Sequence, residues 1–132
     1  MKYMLDTNMC IFLMKGTSNV LNKYLQNKDT GLSLSSITTA ELYYGVFNSA
    51  NIEKNNTNLS NFFIGMNILD FDSRASTEYG RLRADLQKKG TPIGQLDMLI
   101  AAHALSKDLI LVTNNTREFE LVEGLELEDW LA

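Results

Sequence analysis

With 132 residues, 45% of them apolar, the chain is sized for one domain with one core, and residues 1–132 are expected to form a single unit. Its single cysteine excludes an internal disulfide and a cysteine-type metal centre, and Asp6 interrupts any apolar leader, so a soluble cytoplasmic protein without a membrane span is expected. A net charge of −4 excludes a nucleic-acid binder that relies on an overall basic surface, but not one whose acids gather around a cation.

Lys2 to Leu5 is short and mostly apolar and reads as a strand, and Asp6-Thr7-Asn8 supplies cap chemistry for a helix over Met9 to Met14. Ser18 to Gln26 reads as a helix. Leu32 to Ser36 alternates like a strand, and Thr38 opens another helix through Tyr44 and Phe47. The asparagine-rich segment Asn51 to Asn61 reads as exposed and weakly helical at best, with Phe62 and Phe63 as apolar anchors at its end. Met66 to Phe71 suits a third strand.

Ser73 to Lys89 is the clearest amphipathic helix, with Ala75, Tyr79, Leu82 and Leu86 on one face and Gly90 placed to end it. Its other face carries Arg74, Arg81 and Lys88. After the turn Thr91-Pro92-Ile93-Gly94, Gln95 to Ser106 is apolar almost all round and reads as a buried helix with Asp97 in its first turn. Leu109 to Val112 is a continuous apolar run suited to the centre of a parallel sheet, and a short strand near Leu125 and then Trp130 complete the domain. Alternating strands and helices predict an α/β fold around a mostly parallel sheet. Ligands in such sheets bind outside the carboxyl ends of the strands, and Asp6, Glu41 and Asn115 each come after a proposed strand.

Magnesium and manganese prefer hard oxygen ligands, so an enzyme using them must gather carboxylates from separate parts of its chain. Asp6, Glu41 and Asp97 meet that requirement, and each has a plainer reading. Asp6 suits the cap of the first helix, and Thr38-Thr39-Ala40-Glu41 matches a capping box. Asp97 would favour the positive end of its helix, yet its apolar neighbours leave a carboxylate there in need of a partner. His103 reads as an interior histidine, Cys10 as core filling, and the stripe Arg74, Arg81, Lys88 as either a solvated face or a set of phosphate contacts. No glycine-rich phosphate loop comes after the first strand, and no GxSxG elbow is present.

The segments YMLDTN, SSITTAELYYG, GTPIGQLDMLIAAHA and LVTNNTREFE, taken in order, resemble the PIN-domain ribonuclease toxins of the VapC family, in particular the enteric type. The resemblance implies a PIN-like three-layer α/β/α sandwich, dependence on Mg2+ or Mn2+, and endonuclease action on structured RNA, with initiator tRNA cut in its anticodon loop as the first expectation. It matches Asp6 and Asp97 to the principal metal ligands, Glu41 to a further acid, and Thr113 to the polar residue after the fourth strand. The fourth acidic position falls on Asn115, so Glu118 or Glu120 is left to compensate. Also implied are a VapB-type antitoxin partner, a homodimer, and a toxin–antitoxin hetero-oligomer. The mechanism implied is metal-assisted hydrolysis leaving a 5′-phosphate and a 3′-hydroxyl. Two other readings compete: a receiver-like signalling domain, which would need a lysine after a late strand, and a PIN domain that has lost catalysis and binds proteins, with Asn115 as its best support.

Overall fold

The computed structural model describes the whole chain, Met1–Ala132. Five short strands form one sheet: β1 (Tyr3–Leu5), β2 (Leu32–Ser35), β3 (Asn67–Leu69), β4 (Ile110–Val112) and β5 (Leu127–Glu128). All neighbours pair in parallel, in the spatial order β3-β2-β1-β4-β5. The order runs outward from β1 in one direction and then in the other, so β1 and β4 flank the point where it reverses, where crossovers to opposite faces open a crevice. Leu5 stands opposite Val112, and the Asp6 N–H donates to the Val112 carbonyl at 3.0 Å. That register sets the residues just past β1 and β4, Asp6 and Thr113, side by side.

Side chains alternate across the pleat and build two cores. Tyr3, Leu5, Leu32, Leu34 and Val112 point to one face, where they meet α1 (Thr7–Met14), α2 (Ser18–Asn27), α3 (Ser36–Phe47), α4 (Ile52–Phe63) and Trp130. Met4 and Leu111 point to the other, against α5 (Ser73–Lys88), α6 (Gln95–Ser106) and α7 (Thr116–Phe119). The result is the expected three-layer sandwich. Gly90, at φ +69°, turns the chain out of α5 where a side chain would be strained.

Three local expectations need correction. The segment Asn51 to Asn61 lies in a regular helix: Asn51 Oδ1 accepts from the Lys54 N–H at 3.2 Å, Leu59 is fully buried, and Phe62 and Phe63 pack on the same core. Tertiary burial of that stripe overrides the poor helix propensity of asparagine. The helix expected from Thr38 begins instead at Ser36, because Ser35 both ends β2 and caps α3, its hydroxyl accepting from the Ile37 N–H at 3.1 Å. The last strand is Leu127–Glu128 rather than near Leu125.

Candidate active site

Asp6 comes off β1 with extended backbone and enters α1 as its cap, one carboxylate oxygen accepting from the Met9 N–H at 2.8 Å. The Thr113 hydroxyl, arriving from the end of β4, hydrogen-bonds the same carboxylate. Capping and site membership therefore coexist in one side chain. Asp6 is only 5% exposed, and burial raises its pKa above the usual carboxylate value despite these two bonds; Glu41 and Asp129 push it the same way.

Glu41 lies in α3, and the Thr7 hydroxyl donates to its Oε1 at 2.6 Å. The capping box expected of Thr38 and Glu41 does not form: Thr38 is a buried residue inside the helix, and Ser35 is the cap. With that competing role gone, Glu41 faces Asp6 across the crevice.

Asp97 stands half-buried in the first turn of α6, where its cap residue Gly94 offers no side chain. Burial, then the charge of Glu118, then those of Asp6 and Glu41 raise its pKa to about 6, and a hydrogen bond with Glu118 acts in the same direction.

Glu118 rather than Glu120 joins the cluster as its fourth acid. The four-residue helix α7 turns Glu118 inward and leaves Glu120 exposed at its carboxyl end. Asn115 does not replace an acid; its Nδ2 donates to Glu118 Oε2 at 3.1 Å, and its backbone N–H donates to Thr113 Oγ1 at 2.9 Å. Asn115 thus ties Thr113 to Glu118 through two hydrogen bonds, with Asp6 beside Thr113 at one end and Asp97 beside Glu118 at the other.

Asp6, Glu41, Asp97 and Glu118 are near enough to perturb one another, yet none takes part in any ion pair of the structure. No three His, Cys, Asp or Glu side chains stand close enough to form a ready-made ligand set, so the four acids form a looser group. Four carboxyl groups without a basic partner offer hard oxygen donors to a divalent cation, which would offset both the burial and the like charges that raise the Asp97 pKa.

Other residues fall away from this centre. His103 is fully buried, its Nδ1 lying 2.7 Å from Ser35 Oγ, and burial lowers its pKa. Cys10 is buried and its thiol pKa is raised well above normal. Arg74, Arg81 and Lys88 are exposed along α5, with Arg81 held by Glu78 at 2.6 Å. Thr7 and Asp129 join the site without a mark in the sequence. Thr7 reads there only as part of a cap, and Asp129 depends on a two-residue strand too short to leave a pattern.

Carboxylates collected at the switch point of a parallel sheet, without basic partners, define a cation-dependent hydrolase of phosphate esters. The chain belongs to the PIN domain family, in its VapC branch: the family match spans residues 3–125. It is 43% identical to the tRNA(fMet)-specific endonuclease VapC of Shigella flexneri, covering 98% of each chain, and 43% identical to Ribonuclease VapC2 of Haemophilus influenzae, covering 99% of each. Among solved structures, it resembles VapBC2 from Rickettsia felis bound to a promoter DNA fragment, with a TM-score of 0.94 at 39% identity over 98% of this chain and 99% of that one. DNA-bound VapBC from Salmonella typhimurium also gives a TM-score of 0.94, at 42% identity over 98% of both chains. No helix is long and apolar enough to cross a membrane.

Proposed function

We propose that this chain is the toxin of a type II toxin–antitoxin pair, an endoribonuclease that uses Mg2+ or Mn2+ to cut tRNA, initiator tRNA first, and so blocks translation. The observation that carries the reading is the gathering of Asp6, Glu41, Asp97 and Glu118 at one crevice without a cationic side chain, where burial and then the neighbouring acids lift the Asp97 pKa to about 6. The tRNA substrate rests on the relatives named as tRNA(fMet)-specific endonucleases.

Three of the acids are oriented by donors from the chain itself. Met9 and Thr113 hold Asp6, Thr7 holds Glu41, and Asn115 holds Glu118, leaving carboxylate lone pairs free for a cation. Asp6, Glu41, Asp97 and Glu118 are the residues that would hold Mg2+ or Mn2+, which would supply Lewis-acid stabilisation of the phosphate oxygens and a more acidic water. In hydrolysis the water oxygen bonds to phosphorus, the bond from phosphorus to the 3′-oxygen breaks, and that oxygen gains a proton, giving a 5′-phosphate and a 3′-hydroxyl. No covalent enzyme intermediate is needed, which suits a site whose neighbouring thiol, Cys10, is buried and held protonated. Asn115, as the donor that holds Glu118, also ceases to argue for a catalytically weakened module.

A groove of about 300 Å³ opens beside Thr7 and Glu41, walled by Ile11, Met14, Val46 and Leu59 between α1, α3 and α4. It suits the tail of a VapB-type antitoxin. The exposed Tyr43, Tyr44 and Phe47 of α3 suit a subunit interface. The test is to free the chain of any partner, strip it of metal, and offer total tRNA with and without Mg2+ or Mn2+. Cleavage should require the cation and vanish in Asp6→Ala. Cleavage that persists in chelator, or in that variant, refutes the mechanism.

A further inference from the structure

The basic stripe Arg74, Arg81, Lys88 runs beside acids of its own helix, and Arg81 is ion-paired with Glu78 at 2.6 Å. On α5, residues three or four apart are neighbours, and each stripe cation has an acid at that spacing: Glu78 for Arg74, Glu78 and Asp85 for Arg81, and Asp85 for Lys88. Lys89 also binds Asp85, at 3.0 Å. Arg83 differs. Its neighbours at those spacings are Tyr79, Gly80, Leu86 and Gln87, none of them acidic.

Arg83 Nη1 instead donates to the Tyr79 hydroxyl at 2.9 Å, with its guanidinium 5.9 Å from the ring centre. Gln95 Nε2 approaches the same oxygen at 3.5 Å. Because Tyr79 Oη accepts from both, its own O–H is left to donate outward, beside the remaining N–H groups of Arg83 and Gln95. The cluster is exposed and rich in donors. Gln95 is the first residue of α6, two positions before Asp97: about 3 Å along the helix axis but roughly 200° around it, so the cluster lies on a face flanking the acidic crevice. Gly80 adjoins it: a Cβ there would touch nothing within 4 Å, so no contact inside the chain accounts for a mid-helix glycine that costs about 1 kcal/mol relative to alanine.

We propose that Tyr79, Arg83 and Gln95 form a phosphate-binding subsite that grips the RNA backbone next to the scissile bond, rather than the stripe Arg74, Arg81, Lys88. The inference rests on the endoribonuclease reading. A planar fork beside an outward-facing hydroxyl matches phosphodiester oxygens, and an acidic protein segment is the competing occupant. The subsite also suits a chain with a net charge of −4, since Arg83 has no acid three or four residues away on its own helix to offset its charge.

Binding of fluorescein-labelled tRNA to the partner-free chain, read by anisotropy in EDTA across a salt series, tests the subsite without cleavage. Arg83→Gln should raise Kd about tenfold and lower the slope of log affinity against log salt by about 1. Arg83→Lys should restore the slope but not the full affinity, Tyr79→Phe should weaken binding about threefold, and Arg74→Gln and Arg81→Gln should stay within about twofold of wild type. Equal binding by Arg83→Gln and wild type overturns the subsite, as does an equal loss in Arg81→Gln. It is likewise overturned if Arg83→Gln spares tRNA but weakens antitoxin binding. A wild type that cuts tRNA while Arg83→Gln behaves identically removes only this subsite; a wild type that neither binds nor cuts tRNA removes the function with it.

Discussion

Replacing Asp97 by asparagine should make the metal-free protein more stable while destroying its response to metal. The Asp97 pKa is about 6 in the fold against 3.8 as the unperturbed value, roughly two pKa units or about 3 kcal/mol for a fully shielded group. Asp97 is half-buried, so solvent screening reduces this, and losing a negative charge from the first turn of α6 removes a further part. About 1 kcal/mol remains after that discount. The sign comes from the direction of the shift: a carboxyl raised by folding adds stability that is complete below about pH 4 and lost as pH rises through 6. At pH 7.5 in EDTA, the Asp97→Asn variant should therefore raise Tm by about 3–5 °C, the advantage should fall by about half at pH 5, and it should close near pH 4. Asp72, whose pKa is lowered to about 2 by its bond to Lys107, titrates below this window and does not obscure it. Millimolar Mn2+ should raise Tm of the wild type, by about 2.7 kcal/mol of added stability at a hundredfold excess over Kd, and leave Asp97→Asn nearly unmoved. A variant less stable than wild type at pH 7.5 in EDTA, or one with an undiminished Mn2+ shift, refutes the account of the site as a cluster of unbalanced charges.

Thr7→Val removes the donor that orients Glu41 and keeps the shape, so tRNA cleavage should fall about tenfold while Tm changes little; an unchanged rate would show that Glu41 needs no guide. Asn115→Asp replaces the donor to Glu118 by a further negative charge, and cleavage assays should show lower activity together with a higher Mn2+ requirement. Leu59→Ala should cost about 2–5 kcal/mol in urea unfolding, because Leu59 is fully buried where α4 packs on the core; a surface-like change of about 0.5 kcal/mol would contradict the placement of that helix.

Residues that leave a periodic or positional mark are the ones legible in the sequence. The alternation of short apolar runs with helical stripes announces the parallel sheet, and strand-end position points to Asp6. Asp97 stands out because a carboxylate among Leu96, Met98 and Leu99 demands compensation. The remainder depends on contacts distant in sequence or on helical phase. Thr7 acts on a residue 34 positions away. Glu118 and Glu120 are separable only once the short turn of α7 is seen. Helix α4 is hidden by its asparagines, whose weak propensity says nothing of the sheet that receives Leu59 and Phe62.

The spacing of the acids along the chain bears on when the protein can act. Asp6 is made early, but its neighbour Thr113 arrives only with β4, and Glu118 comes later still, in α7. β4 lies beside β1 at the middle of the sheet, so a growing polypeptide that has passed Asp6, Glu41 and even Asp97 still lacks the strand that closes the crevice. Topology thus withholds the assembled site until β4 and α7 have both been made, so a nascent chain already carrying three of its four acids is not yet a nuclease.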